Sequence, residues 1–142
     1  MSITLSTAQV IVAQARAAAK QRSLNPITVV VLDAGGHLLA AEREDGAANR
    51  RFEIAFGKAY GALSLGIGSR ALMRRAEEQP YFISAAAAAI GGALIPVPGG
   101  VLIRDATATL VGAVGISGDT SDNDEAVGVA GIEAAELVAD TG

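Results

Sequence analysis

Cysteine and tryptophan are absent from the 142 residues, histidine occurs once, and the aromatic complement is three Phe and two Tyr. Without cysteine there is no disulfide, no thiolate metal site, no cysteine nucleophile and no covalent c-type haem attachment. Scarce aromatics together with a formal charge of −4 and a pI near 4.9 remove both the stacking platform and the basic footprint of nucleic-acid binders. The single histidine argues against a Ser-His-Asp triad, and Gly-Ile-Ser117-Gly is not the GxSxG elbow. No apolar run is long enough to span a membrane: Ile83 to Ile95 is apolar apart from Ser84 but too short. The N-terminus lacks a basic region followed by an apolar core, so a cytoplasmic protein with no membrane partner is expected. Charge is scarce too, at 18% against 51% hydrophobic residues. That leaves apolar surface to close against other copies of the chain, which predicts a homo-oligomer.

What is present reads as one domain over residues 1–142, a length that buries a single core. A helical pattern starts at Ser6 or Thr7 and closes near Ser23. Ile27 to Leu32 is a continuous apolar strand buried on both faces, and Asp33-Ala-Gly-Gly36 turns it into a second strand, His37 to Arg43. A helix capped by Asn49 runs to about Leu65. On its wheel Lys58 falls among Ile54, Gly61, Ala62 and Leu65, with Arg51 on the same face about 10 Å away along the axis. Ser69 caps a short helix to Glu78 whose charges form a solvated face. Pro80 opens an alanine-rich helix to Ile90 with no polar face after Ser84, expected in the core or at a subunit contact.

After Pro96-Val-Pro-Gly-Gly100, Val101 to Arg104 and Thr109 to Ser117 read as antiparallel strands, with a short extra strand at Ala93 to Ile95, and Thr120 to Val138 as the closing helix. The order α-β-β-α-α-β-β-β-α predicts an α+β fold with an antiparallel sheet of about five strands flanked by helices.

The stretch Gly112 to Ala126 organises the chain, because an apolar strand there ends in glycines and meets a cluster of carboxylates at a helix start. Ser121 and Asp124 have capping-box spacing. GxxGxxG is not the dinucleotide spacing, and the carboxylates would repel a phosphate; Asp119, Asp122 and Asp124 lack the spacing of a calcium loop, and no metal site is predicted. A carboxylate at a pocket mouth remains as a reading, with Asp119 named first as general base or orienting group.

Val-Leu-Asp33-Ala-Gly-Gly-His37-Leu, Arg43-Glu-Asp-Gly46, Ile54-Ala-Phe-Gly-Lys58-Ala, Pro96-Val-Pro-Gly-Gly-Val101 and Gly112-Ala-Val-Gly-Ile-Ser-Gly-Asp119-Thr-Ser-Asp-Asn-Asp-Glu125 together resemble the GlcG/HbpS family, also seen as the C-terminal domain of PduO-type adenosyltransferases. The resemblance covers nearly the whole chain. It implies a ring-like homo-oligomer, often an octamer, and haem or tetrapyrrole binding or degradation. It also implies an alternative, cofactor-independent release of formaldehyde by carbon–carbon cleavage of a small hydroxy or lignin-derived aromatic compound.

For haem, the candidate axial ligands are His37, Tyr60, Tyr81 and Met73, and the candidate propionate partners are Lys58, Arg51 and Arg104. No other cofactor is expected. For the lyase, Lys58 is the amine, with its pKa lowered by apolar neighbours, and Asp119 or Asp33 is the partner carboxylate. Gly115, Ser117, Gly118 and Thr120 complete the candidate ligand-binding set, with the backbone near Gly118 able to bind an oxyanion.

Overall fold

The computed structural model describes residues 2–142. Its elements are α1 (Leu5–Gln21), β1 (Thr28–Asp33), β2 (Leu38–Arg43), α2 (Arg51–Leu65), α3 (Ser69–Glu78), α4 (Pro80–Ala89), β3 (Gly100–Arg104), β4 (Leu110–Ser117), α5 (Ser121–Ala134) and β5 (Val138–Asp140). The five strands form one antiparallel sheet in the order β2-β1-β4-β3-β5. This is the α+β architecture the sequence predicts.

Alternation along the central strands divides the core. Val29 and Val31 of β1, Val101 and Ile103 of β3, and Val114 and Ile116 of β4 pack against α1 and α5. Val30, Leu32, Leu102 and Ala113 point the other way, onto Ala55, Ala59 and Ala62 of α2. The unbroken apolar run of β1 follows from this, since a strand covered by helices on both faces has no solvated side. A third cluster, Leu72, Ile83, Ala86 and Leu94, holds α3 and α4 beside the main body.

Glycine lets α2 lie directly on the sheet. A Cβ at Gly115 would run into the carbonyl of Ala55, and one at Gly100 into the carbonyl of Lys58. Gly115 therefore contributes close backbone packing, and the space over it is filled by α2 rather than open to a ligand.

Several local expectations are corrected. Ala93 to Ile95 is not a strand: Gly91 and Gly92 both have positive φ, and the Ile95 N–H donates to the Gly57 carbonyl of α2. The fifth strand is instead Val138–Asp140, paired with β3, because α5 ends at Ala134 and Glu136 turns the chain with φ +61°. Arg50, whose side chain makes no capping bond to the helix backbone, takes the cap position expected of Asn49. Ser69 is fully buried and accepts the Gly100 N–H at 2.7 Å instead of capping α3. Arg70 leaves the solvated face to pair with Asp122 and Glu125 at the start of α5. On α4 only Ile83 and Ala86 are buried, and Tyr81 is 71% exposed, so the helix is not a core element of the protomer. Among the described residues no helix is long and apolar enough to cross a membrane.

Gly115→Ala is expected to lower the unfolding free energy by about 1–3 kcal/mol, because the new methyl meets a main-chain carbonyl that cannot rotate away. Urea unfolding followed by circular dichroism measures this, and unchanged stability would contradict the packing.

Candidate functional site

Lys58 leaves α2 at its most buried turn and is 2% exposed. Its stem runs past Gly99, where a Cβ would sit 2.8 Å from Nζ; the same glycine holds φ +121°, so both space and backbone exclude a side chain there. The ammonium donates to the Ile116 carbonyl at 2.8 Å and to Asp124 Oδ2 at 3.2 Å. Asp124, 1% exposed, accepts the Asp119 N–H on its other oxygen at 3.0 Å. A cation from one helical layer thus meets an anion from the other at the end of the sheet. Burial holds the lysine below its ordinary pKa, Asp124 opposes that shift, and the nearby Arg51 adds to it.

Asp124 is the residue that sequence reasoning misplaced. Its position suggested a capping box with Ser121, whereas the N-cap is Thr120, whose hydroxyl accepts the Asn123 N–H at 3.2 Å, and Asp124 turns inward. The signal available was the pairing of an apolar-face lysine with a carboxylate at a helix start, but contact across 66 residues of chain is set only by the fold.

Asp119 does not face Lys58. Its carboxylate is held by the Asn123 side chain at 2.7 Å and by the N–H groups of Asn25 and Thr120, each at 2.9 Å, which fasten the β4–α5 loop to the segment before β1. The Asn123 contact, with those two N–H groups, keeps its pKa below the usual carboxylate value. Gly118 packs against the backbone of Pro26 and Ile27, which leaves no space over its Cα for a ligand. Ser117, buried, accepts from Arg51 Nη1 at 3.1 Å.

The other candidates lie at the opposite end of the strands. Thr28 is opposite Ser117 and Asp33 is opposite Gly112, a separation of five residues, or about 17 Å at strand rise. There Asp33 bonds the N–H groups of Gly35 and His37, each at 2.9 Å, and His37 Nδ1 lies 3.1 Å from its Oδ1. Partial burial works to raise the Asp33 pKa, but the His37 and Gly35 N–H groups and the imidazole prevail and lower it. The His37 side chain is 80% exposed. Gly35 leaves room for it: a Cβ there would stand 2.8 Å from Cε1. Nδ1 is directed at the carboxylate, which leaves Nε2 as the ring nitrogen free of a protein partner. Arg104, also at this end, is engaged by Asp140 at 2.8 Å and the Ala108 carbonyl.

Beside α2 lies a cavity of about 440 Å³, lined by Phe52, Ile54, Phe56 and Ile95 with Arg50 and Glu53 at its rim. Those two rim charges bond each other at 3.1 Å.

Removing one partner of the buried pair leaves the other charge unmatched, a loss of about 3–5 kcal/mol. Lys58→Met is expected to destabilise to that extent. Lys58→Met with Asp124→Leu is expected to cost less than the sum of the single changes; additive costs in a denaturation cycle would show the pair to be uncoupled. A second expectation concerns acid. A carboxylate with a lowered folded pKa contributes stability above its unfolded value, near 3.8, and loses it as pH falls through the folded value. The stability gap between wild type and Asp119→Asn should therefore be full at neutral pH and shrink below pH about 4. A gap independent of pH would count against this role.

The fold is shared with solved proteins. A PduOC–haem complex superposes with a TM-score of 0.85 at 22% identity, covering 96% of this chain and 97% of that one. A double mutant of HbpS from Streptomyces reticuli gives 0.81 at 25% identity, covering 94% and 86%. The ORFY protein of Klebsiella pneumoniae gives 0.84 at 25% identity, covering 94% and 90%. No curated protein matches the sequence. Residues 3–133 match the family model described as haem degrading protein HbpS-like, and the chain belongs to that HbpS-like family.

Proposed function

We propose that the protein binds haem, with His37 as an axial ligand. The carrying observation is the His37–Asp33 pair at the β1–β2 turn: an imidazole whose Nδ1 is fixed by a carboxylate at 3.1 Å and whose ring stands in solvent. That is the arrangement in which a metal-binding histidine is held in one tautomer and one orientation. The other candidate ligands lack such support: Tyr81 stands out from α4, Tyr60 stacks on Phe56 with ring centroids 5.3 Å apart, and Met73 is half-buried on α3. The donor chemistry therefore fits haem iron, which His37 would hold. Family membership and the haem carried by a protein of the same fold support the same reading.

When bound, haem supplies redox-active iron. The chain's own part is local. The Asp33 carboxylate hydrogen-bonds Nδ1 and orients the ring, Gly35 clears its path, and half-exposed Leu38 with Tyr60 behind Gly36 offers apolar surface nearby. A ligand held by so exposed a residue gains cover from a second protomer. Self-association, for which the resemblance implies an octamer, accords with the exposed Leu5, Leu38, Tyr81, Phe82 and Val138. The amine that a cofactor-independent lyase would need is enclosed and held on Asp124, so that alternative lacks an open reaction centre in the protomer.

Haemin titration followed by visible absorption tests the reading. Wild type should saturate near one haem per protomer with a sharp Soret band. His37→Ala should lose that band, and Asp33→Asn should weaken binding by about 10–100-fold, as loss of an orienting carboxylate does. Unsaturable binding, or binding indifferent to His37, would refute it.

A further inference from the structure

Thr28 begins β1 at the end of the sheet far from His37. It is 1% exposed, and among the described residues its hydroxyl is the buried side-chain group with no hydrogen-bond partner. Such groups are uncommon in folded proteins because each forfeits its bonds to water. Its register partner on β4 is Ser117. Both project to the face that carries Val30, Leu32 and Ala113 toward α2, with Cβ atoms about 5 Å apart as cross-strand neighbours. Ser117 Oγ accepts from Arg51 Nη1.

Arg51 combines partial burial with the lack of a carboxylate partner. Arg16, Arg50, Arg70 and Arg104 pair with carboxylates; Arg22, Arg43 and Arg74 do not but are exposed, and Arg75 lies over the Phe82 ring. Among the described residues half-buried Arg51 pairs with none, and the hydroxyl of Ser117 is its one side-chain partner. The neighbouring Lys58 and Asp124 cancel each other. One uncompensated positive charge is left, beside two hydroxyls, at the first residue of α2. Arg43, across from Thr28 on β2, is exposed and donates to the Ala47 carbonyl at the rim.

We propose that Arg51, Ser117 and Thr28 form a binding site for the carboxylate of a small organic acid. A guanidinium presents two parallel N–H donors that match a planar carboxylate, and a single surplus charge matches a monoanion. Thr28 supplies the donor that is otherwise wasted. Its hydroxyl is sealed in the unliganded protomer, so engagement of the ligand requires the half-buried Arg51 side chain, bonded to the neighbouring Ser117, to move. Binding therefore moves Arg51. The site lies about 17 Å along the strands from the His37 turn and does not depend on haem.

The test is a proton–nitrogen NMR titration of the arginine Nε–Hε signals of the whole chain, without haemin, using sodium benzoate and sodium acetate at constant ionic strength. Sodium chloride and sodium phosphate serve as parallel titrants. Benzoate or acetate should shift the Arg51 signal saturably, and Arg51→Gln should abolish that signal. Thr28→Val keeps the shape and removes the unpaired hydroxyl, so the variant should melt above wild type yet bind at least about fivefold more weakly, as expected when a hydrogen bond to a charged group is lost. The proposal is overturned if neither carboxylate gives a saturable shift, if chloride reproduces it, if phosphate saturates at lower concentration, or if Thr28→Val binds as wild type does.

Discussion

The Lys58–Asp124 pair is the contact on which the arrangement of layers depends. α2 covers one face of the sheet, α1 and α5 the other, and the pair joins the two where β3 begins and β4 ends. Both groups are almost fully buried, so each is tolerable only while the other is present. Its requirements extend outward. Gly99 must be glycine for the lysine stem to pass, and Gly100 and Gly115 must be glycine for α2 to sit low enough on the sheet to deliver it. The Asp119 N–H must close the remaining carboxylate oxygen. A hydrophobic pair could supply comparable stability, but a charge pair admits one register of α2 against α5, because any other leaves two buried ions apart.

The sheet has two ends of different chemistry, and the strand length keeps them separate. At one end the Asp33–His37 turn offers an oriented imidazole to solvent; at the other, closed chemistry surrounds Lys58 while Arg51 stands half-open beside Ser117. Residues that look like one catalytic set in the sequence are thereby divided. Asp33 serves His37, Asp119 fastens a loop, and Arg104 anchors β5 through Asp140. The lysine retains the lowered pKa expected of a reactive amine, but desolvation in a closed core produces that shift as readily as an active site does.

What the sequence determined by itself was whatever is encoded over a few consecutive residues. The apolar run at Ile27–Leu32, the glycine turn after Asp33, the Pro80 helix start and the antiparallel pair around Asp105 are readable because periodicity and turn chemistry are local. The motifs that carry the family are local too, and residues 3–133 place the chain in it. The tertiary structure decided the rest. Val138–Asp140 is a strand only because β3 has a free edge to pair with, and the residues before it look equally helical. Asp124 and not Asp119 meets Lys58, because α5 starts one residue earlier than its capping pattern suggests, on Thr120, and turns that carboxylate inward. Thr28, unremarkable as a letter at a strand start, becomes a stranded hydroxyl beside Arg51 only when β1 aligns with β4 and α2 closes over both. Burial and unmet hydrogen bonds are properties of contacts between distant segments, and no window of sequence contains them.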